Sequence, residues 1–310
     1  MIKRTLYFGN PAYLSLTNSQ MVVQLPETEK VDEGAVIKKE KIAASIAVED
    51  IGIVILDDKQ ITITNGLLQS LQENNVAVIF CDSRHMPQSL LLPLEGNSVQ
   101  QERYDFQLAT TEPMRKNLWA QTVIQKIKNQ ASILELLSLK SDYLIPLYQK
   151  VKSGDSDNKE ATAAMYYWQT IFAHVEGFNR YREGPPPNNW LNYGYAILRA
   201  TMARSIVSAG LLPTLGIFHK SRYNAFCLAD DLMEPYRPFV DQIVHGMVEN
   251  FGTTFDLIKE HKAILLKIPV IDVLIDGEKS PLMLATQRTA VSLVKCYSGD
   301  QRKLVLPEIP

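Results

Sequence analysis

Between Phe218 and Pro238 the chain reads FHKSRYNAFCLADDLMEPYRP, and sixteen of these residues hold one histidine and three carboxylates, His219, Asp230, Asp231 and Glu234. If LADDLMEP is helical, Asp231 and Glu234 sit three apart on one face, while Asp230 points about 100° away. Like charges that close repel, so keeping both ionised calls for a cation. Pro235 withdraws the amide that would bond the Asp231 carbonyl and marks a kink or a first turn. Each residue has a plainer role open to it. Asp230 can be a solvated cap, His219 a hydrogen-bonded structural histidine, and Arg237 a partner that neutralises Glu234 without any metal.

A fourth acid lies elsewhere, in DNKEATAAMYYWQTIFAHVEGF. A helix there, capped by Asn158, has an apolar stripe through Ala164, Trp168, Ile171 and Val175, and Glu160 is on that stripe. An acid facing a core must be solvated, paired or bound to a cation; in a first turn it also gains about 0.3–1 kcal/mol from the helix dipole, which is the plainer account. Taken together, two acids and a histidine in one stretch and a misplaced acid on another helix fit a hard divalent metal. Carboxylates suit Mg2+ or Mn2+, and one imidazole leans toward Mn2+.

The elements that must position these groups change period along the chain. TLYFG, AYLSLT, MVVQL, IGIVILD, QITITN and VAVIFCD are short β-branched or aromatic runs separated by turn residues, interrupted by one helix over Asn65–Asn75. From EPMRKNLWAQTVIQKIK onward the spacing is helical, with Pro113 in a first turn. Further helices are expected over 159–182, 191–209, 239–251 and 281–297, and the linker is placed in PLEGNSVQQERYDFQ. The expected class is α+β: a small N-terminal β-sandwich-like domain over 1–100, followed by an all-helical domain over 101–310.

Several of these blocks resemble the CRISPR-associated adaptation integrases, the "Cas one" family, in its type II form. NKEATAAMYYW is similar to the family's N-x-E-x-x-A-A block, LNYGYAILRA to its most recognisable helix, and GIFHKSRYNAFCLADDLMEPYRP to G-x-x-H … D-L-x-E-P-x-R-P. VAVIFCDSRHMPQSLLLPL resembles a segment of the type II members, while the loop REGPPPNNW is longer and richer in proline than the family pattern. The resemblance covers most of the chain. It implies Glu160, His219 and Glu234 as catalytic metal ligands for Mg2+ or Mn2+, with Asp231 an acid near the metal. It also implies a β-domain that dimerises and a helical catalytic domain. The implied activity is insertion of short foreign DNA into a repeat array by 3′-hydroxyl attack on a phosphodiester. The implied partners are DNA, a second copy of the chain, the small ferredoxin-like "Cas two" protein in a heterohexamer, and the type II RNA-guided effector nuclease.

Lys220, Arg222 and Arg237 flank the acids and are candidates to hold DNA phosphates, or else solvated charge. Arg115, Lys116, Lys126 and Lys128 read as a solvated face, and Tyr166, Tyr167, Tyr193 and Tyr195 as base-stacking or core residues. A water-using metal nuclease and a non-catalytic DNA scaffold remain open beside the integrase. A net charge of −2, with 46% hydrophobic and 21% charged residues, is ordinary for a globular chain and does not by itself favour nucleic acid. No run is long enough to span a membrane. The three cysteines are odd in number and outside any C-x-x-C pair, which argues against a disulfide framework and for a cytoplasmic location.

Overall fold

The computed structural model describes residues 3–26, 41–181, 183–254 and 256–309. The chain forms two compact units, Met1–Leu94 and Glu95–Pro310.

Among the described residues the first unit holds two four-stranded sheets. One has the order β1 (Arg4–Phe8), β5 (Ile51–Leu56), β7 (Ala77–Cys81), β8 (Pro87–Leu91); the other runs β4 (Lys41–Ala47), β3 (Gln20–Leu25), β2 (Tyr13–Thr17), β6 (Thr62–Ile63). IGIVIL of β5 lies between parallel neighbours β1 and β7 and is buried at every residue, as an unbroken apolar run requires. Asn18 and Ser19 join β2 to β3 with positive φ at both positions, the backbone that a two-residue hairpin turn needs. Helix α1 (Asn65–Glu73) starts at Thr64, whose hydroxyl accepts from the Leu67 amide at 3.4 Å. Two strands were not legible as such in the sequence. β4 is KIAASIA, rich in alanine, and β8 opens on Pro87, which an edge position tolerates.

The second unit comprises α2 (Gln100–Leu108), α3 (Glu112–Leu136), α4 (Ile145–Gln149), α5 (Lys159–Ile171), α6 (Asn188–Ser208), α7 (Cys227–Met233), α8 (Arg237–Phe251), α9 (Lys259–Leu265) and α10 (Leu282–Ser298). It also carries a small sheet of β9 (Asp272–Ile275) flanked by β10 (Glu278–Pro281) and β11 (Pro307–Glu308), so it is helical with a three-stranded addition. The polar tail of the expected linker is α2. Its buried Gln107 donates to the carbonyls of Leu212 and Leu215 at 3.0 and 3.2 Å and accepts from the Leu212 amide at 2.8 Å, pinning the chain before His219. The helix expected over 159–182 stops at Ile171. Gly177 then takes a left-handed backbone (φ 67°) that no helix continues through, and Arg182, where it was to end, lies outside the described residues.

Candidate active site

Helix α5 begins with Lys159 and Glu160, and the cap is not Asn158. Asn158 is left-handed and makes no side-chain cap bond, whereas the buried carboxylate of Asp155 accepts from the amides of Lys159 at 2.8 Å and Glu160 at 3.0 Å. A carboxylate four residues back does the work of a cap because the intervening turn folds it under the helix end.

Helix α7 and the single 3-10 turn Glu234–Tyr236 that follows it carry the other acids. The turn is tied to α3 by Asn129, buried on that helix, whose amide donates to the carbonyls of Pro235 at 2.7 Å and Pro307 at 2.9 Å. The adjacent aspartates part company. Asp231 is fully buried and accepts from the amide of Phe218 at 2.8 Å, the amide of His219 at 3.3 Å and His219 Nδ1 at 2.5 Å. Asp230 is buried too. It is not a solvated cap but takes a fork from Arg199, Nε at 2.7 Å and Nη2 at 2.9 Å, and a third bond from Asn224 at 2.7 Å.

Glu160, His219 and Glu234 line one cavity of about 370 Å3, with Lys126, Lys220 and Arg237 among its other walls. Lys126, expected on a solvated face, is buried here. Its ammonium bonds the Glu160 carboxylate and lies 2.6 Å from Oε2 of Glu234, while Arg237 reaches Oε1 of Glu234 at 3.1 Å. Burial works against a charged lysine, but the two glutamates outweigh it and hold the Lys126 pKa above its ordinary value. Burial likewise works against the Glu234 carboxylate, and Arg237 and Lys126 outweigh it and hold that pKa low. The hydrogen bond to Asp231 raises the pKa of His219, whereas burial raises that of Asp231 itself.

The donors suit a divalent cation. Two carboxylates and one imidazole meet at a single cavity, and the glutamates already share one positive group. Oε2 of Glu234 is buried and has that ion pair but no aligned hydrogen bond. Nδ1 of His219 is held by Asp231, so Nε2 is the nitrogen left to ligate, the usual arrangement of a metal-binding histidine. With Lys126 between them, no three acid, histidine or cysteine side chains among the described residues stand as a finished cage.

Both oxygens of Asp231 are engaged in holding Phe218 and His219, which makes it the residue that orients the histidine. Lys220 and Arg222 are exposed on the loop beside the cavity. Arg237 is drawn inward, paired to Glu234 and lying over the Tyr195 ring at 5.0 Å. Of the tyrosines, Tyr167, Tyr193 and Tyr195 are core residues, and Tyr166 bonds the Lys140 carbonyl at 3.0 Å. Sequence reasoning missed Lys126, although it follows Trp119 and Val123 at the spacing of the buried face of α3.

The chain is similar to known proteins along its whole length. A family model described as "CRISPR associated protein Cas1" matches residues 12–276. A CRISPR-associated endonuclease Cas1 of Neisseria meningitidis serogroup C is 33% identical over 312 residues, spanning 100% of this chain and 97% of that protein. Among solved structures, a casposase bound to integration product superposes with a TM-score of 0.77 at 19% identity, covering 98% of this chain and 92% of that one. A Cas6-RT-Cas1–Cas2 complex does so with a TM-score of 0.71 at 20% identity, covering 97% of this chain and 35% of that one. At these identities the likeness to the solved structures is one of fold.

Proposed function

The chain belongs to the Cas1 family of CRISPR-associated proteins, a nuclease and integrase family, and we propose that it inserts short foreign DNA into a CRISPR repeat array by metal-dependent transesterification. The observation that carries this reading is the cavity shared by Glu160, His219 and Glu234, with His219 aligned by a buried Asp231.

Glu160, Glu234 and His219 Nε2 would hold Mg2+ or Mn2+, a Lewis acid for the non-bridging phosphate oxygen. The nucleophile is the 3′-hydroxyl of the incoming DNA, so no side chain forms a covalent intermediate. Asp231 accepts a hydrogen bond from His219 Nδ1, which fixes the tautomer and leaves the Nε2 lone pair for ligation. Arg237 holds Glu234 ionised and limits its swing. Lys220 and Arg222, exposed on the loop, supply positive charge for phosphates on the open side of the cavity, and Arg237 adds to it from the wall. Positioning of this kind converts a two-body encounter into an intramolecular one, the larger part of what a transesterase must provide.

DNA, a second copy of this chain through the unit 1–94, and a Cas2 dimer are the proposed partners, with the type II effector nuclease as a further one. The solved complex that pairs a Cas1 with a Cas2 on the same fold supports the Cas2 assignment. Among the described residues no helix is long and apolar enough to cross a membrane; the proposed location is the cytoplasm.

Strand joining tests the reading. Short duplexes with free 3′-hydroxyls and a repeat-containing target, in Mn2+, are expected to give joined product that Glu160→Gln, Glu234→Gln and His219→Ala each lose. Cleavage that continues with 3′-deoxy ends while no joined product ever forms would assign the same residues to a water-using nuclease instead.

A further inference from the structure

Arg237 and Asp241 stand four residues apart on α8, the spacing at which an arginine and an aspartate ordinarily pair. Here they do not. Asp241, 1% exposed, accepts from the hydroxyl of Tyr195 at Oδ1 and from that of Tyr167 at Oδ2, the latter at 3.1 Å, while Arg237 gives Nη2 to Oε1 of Glu234 at 3.1 Å. Tyr195, from α6, is the side chain that parts them. Its hydroxyl takes the aspartate, and its ring lies under the guanidinium of Arg237, 5.0 Å from the centroid. The guanidinium of Arg180 is 5.4 Å from the same ring and is tied to Asn188 at 2.8 Å and Asn192 at 3.1 Å.

Among the described contacts Arg237 has one ion pair, to Glu234, and its Nε is buried without a hydrogen bond. A guanidinium on a long stem turns toward whichever carboxylate is open to it. Besides Glu234, two acids lie within range of its charge, Asp230 and Asp241. Asp230 is filled by Arg199 and Asn224. Asp241 is filled only because the two tyrosines donate to it. With one oxygen vacated, it would compete with Glu234 for the guanidinium from one turn along the same helix.

We propose that Tyr195 is a positioning residue for the metal site: by occupying Asp241 with its hydroxyl and supporting Arg237 with its ring, it reserves that guanidinium for Glu234. The inference rests on the metal site proposed above and adds to it a residue that works through Arg237.

Tyr195→Phe keeps the ring, removes the hydroxyl and tests the assignment in two readouts on the full chain. The first needs no metal. Four groups face Asp241: Tyr167 from α5, Tyr195 from α6, Arg180 from the loop before α6, and Arg237 from its own helix. If Arg237 stayed on Glu234, losing the Tyr195 hydrogen bond would leave Asp241 harder to ionise, and the loss of stability with rising pH would continue beyond about pH 7. The expected result has the opposite sign: Arg237 turns to Asp241, the carboxylate ionises readily, and the denaturant midpoint stays flat up to that pH. The second readout is Mn2+ affinity, from the free-ion signal in electron paramagnetic resonance. Moving a unit positive charge away from the cage is expected to tighten Mn2+ binding to Tyr195→Phe on the order of tenfold. Strand joining is expected to fall in the same variant, because Glu234 is no longer held. In Tyr195→Phe/Asp241→Asn the guanidinium has no second carboxylate to turn to, and Mn2+ affinity and joining are both expected to return to the wild-type level. A loosened or misfolded protein gives neither tighter binding nor rescue by a second substitution. A stability loss that continues to higher pH, an Mn2+ affinity unchanged or weaker in Tyr195→Phe, or a double variant that is not restored would each overturn the assignment. A wild type that binds Mn2+ but joins no strands would remove the integrase reading and leave the assignment of Tyr195 standing on the other two readouts.

Discussion

Replacing Lys126 by methionine keeps the length of the side chain and removes the charge that Glu160 and Glu234 share. Glu160 is part-exposed and the buried Glu234 would keep Arg237, so the loss stays below the roughly 3–5 kcal/mol of a buried pair broken outright. Lys126→Met is expected to melt below wild type in EDTA and to recover more than wild type does on adding Mn2+, since the metal then meets no resident ammonium. A thermal melt with and without metal reads this directly; equal metal-induced shifts for the two proteins would show that Lys126 does not compete for the site. A second buried acid gives a pH test away from the cavity. Burial pushes the pKa of Asp241 up to about 7, although Tyr195 and Tyr167 both donate to it. The folded protein then binds a proton that the unfolded chain has already released. Stability contributed by this group is fully present below the unfolded value near 4 and is lost as pH rises toward 7. Asp241→Asn is expected to flatten the decline between pH 5 and 7 in denaturant midpoints.

At the scale of elements, two short pieces decide whether the cavity exists. Gly216 opens the turn that brings His219 back to α7, and a Cβ there would stand 2.4 Å from the His219 carbonyl oxygen and 2.8 Å from Asp231 Oδ2. Both are fixed atoms of the site, so the turn must shift. Gly216→Ala is expected to lower strand joining by far more than duplex affinity, because phosphate contacts supply affinity whereas the clash falls on the histidine and its carboxylate. The cap of α5 is the other piece. Asp155→Ala removes the acceptor for the Lys159 and Glu160 amides and is expected to cost about 0.5–2 kcal/mol, with Asp155→Asn recovering part of it in chemical denaturation. Asn158→Gly, by contrast, should do little, as the side chain caps nothing and glycine suits the left-handed backbone there (φ 53°).

At the scale of the whole molecule, the unit 1–94 has a core of its own, with Leu14, Met21, Ile51 and Val54 wholly buried. Among the described residues its two sheets end in β1, β8, β4 and β6, and strand edges are surfaces on which a second copy can pair. A fragment of residues 1–94 is accordingly expected to melt cooperatively and to sediment as a dimer, and a fragment that stays monomeric at high concentration would move the dimer contact to the helical unit. Much of this plan was legible in the residues. Unbroken apolar runs such as IGIVIL and helical spacing from Pro113 onward depend only on local chain geometry, and so do the order of the blocks and the identity of His219, Glu234 and Glu160 as groups needing a partner. What the tertiary structure decided is which face meets which. Asp230 and Asp231 are neighbours with the same chemistry, yet packing sends one to Arg199 and the other to His219. Lys126 is an ordinary lysine on a helix until α5 and the turn after α7 close over it and bring two carboxylates from distant parts of the chain to its ammonium. The pattern of a helix names its buried side, but only long-range packing names the residues on the other side of the contact.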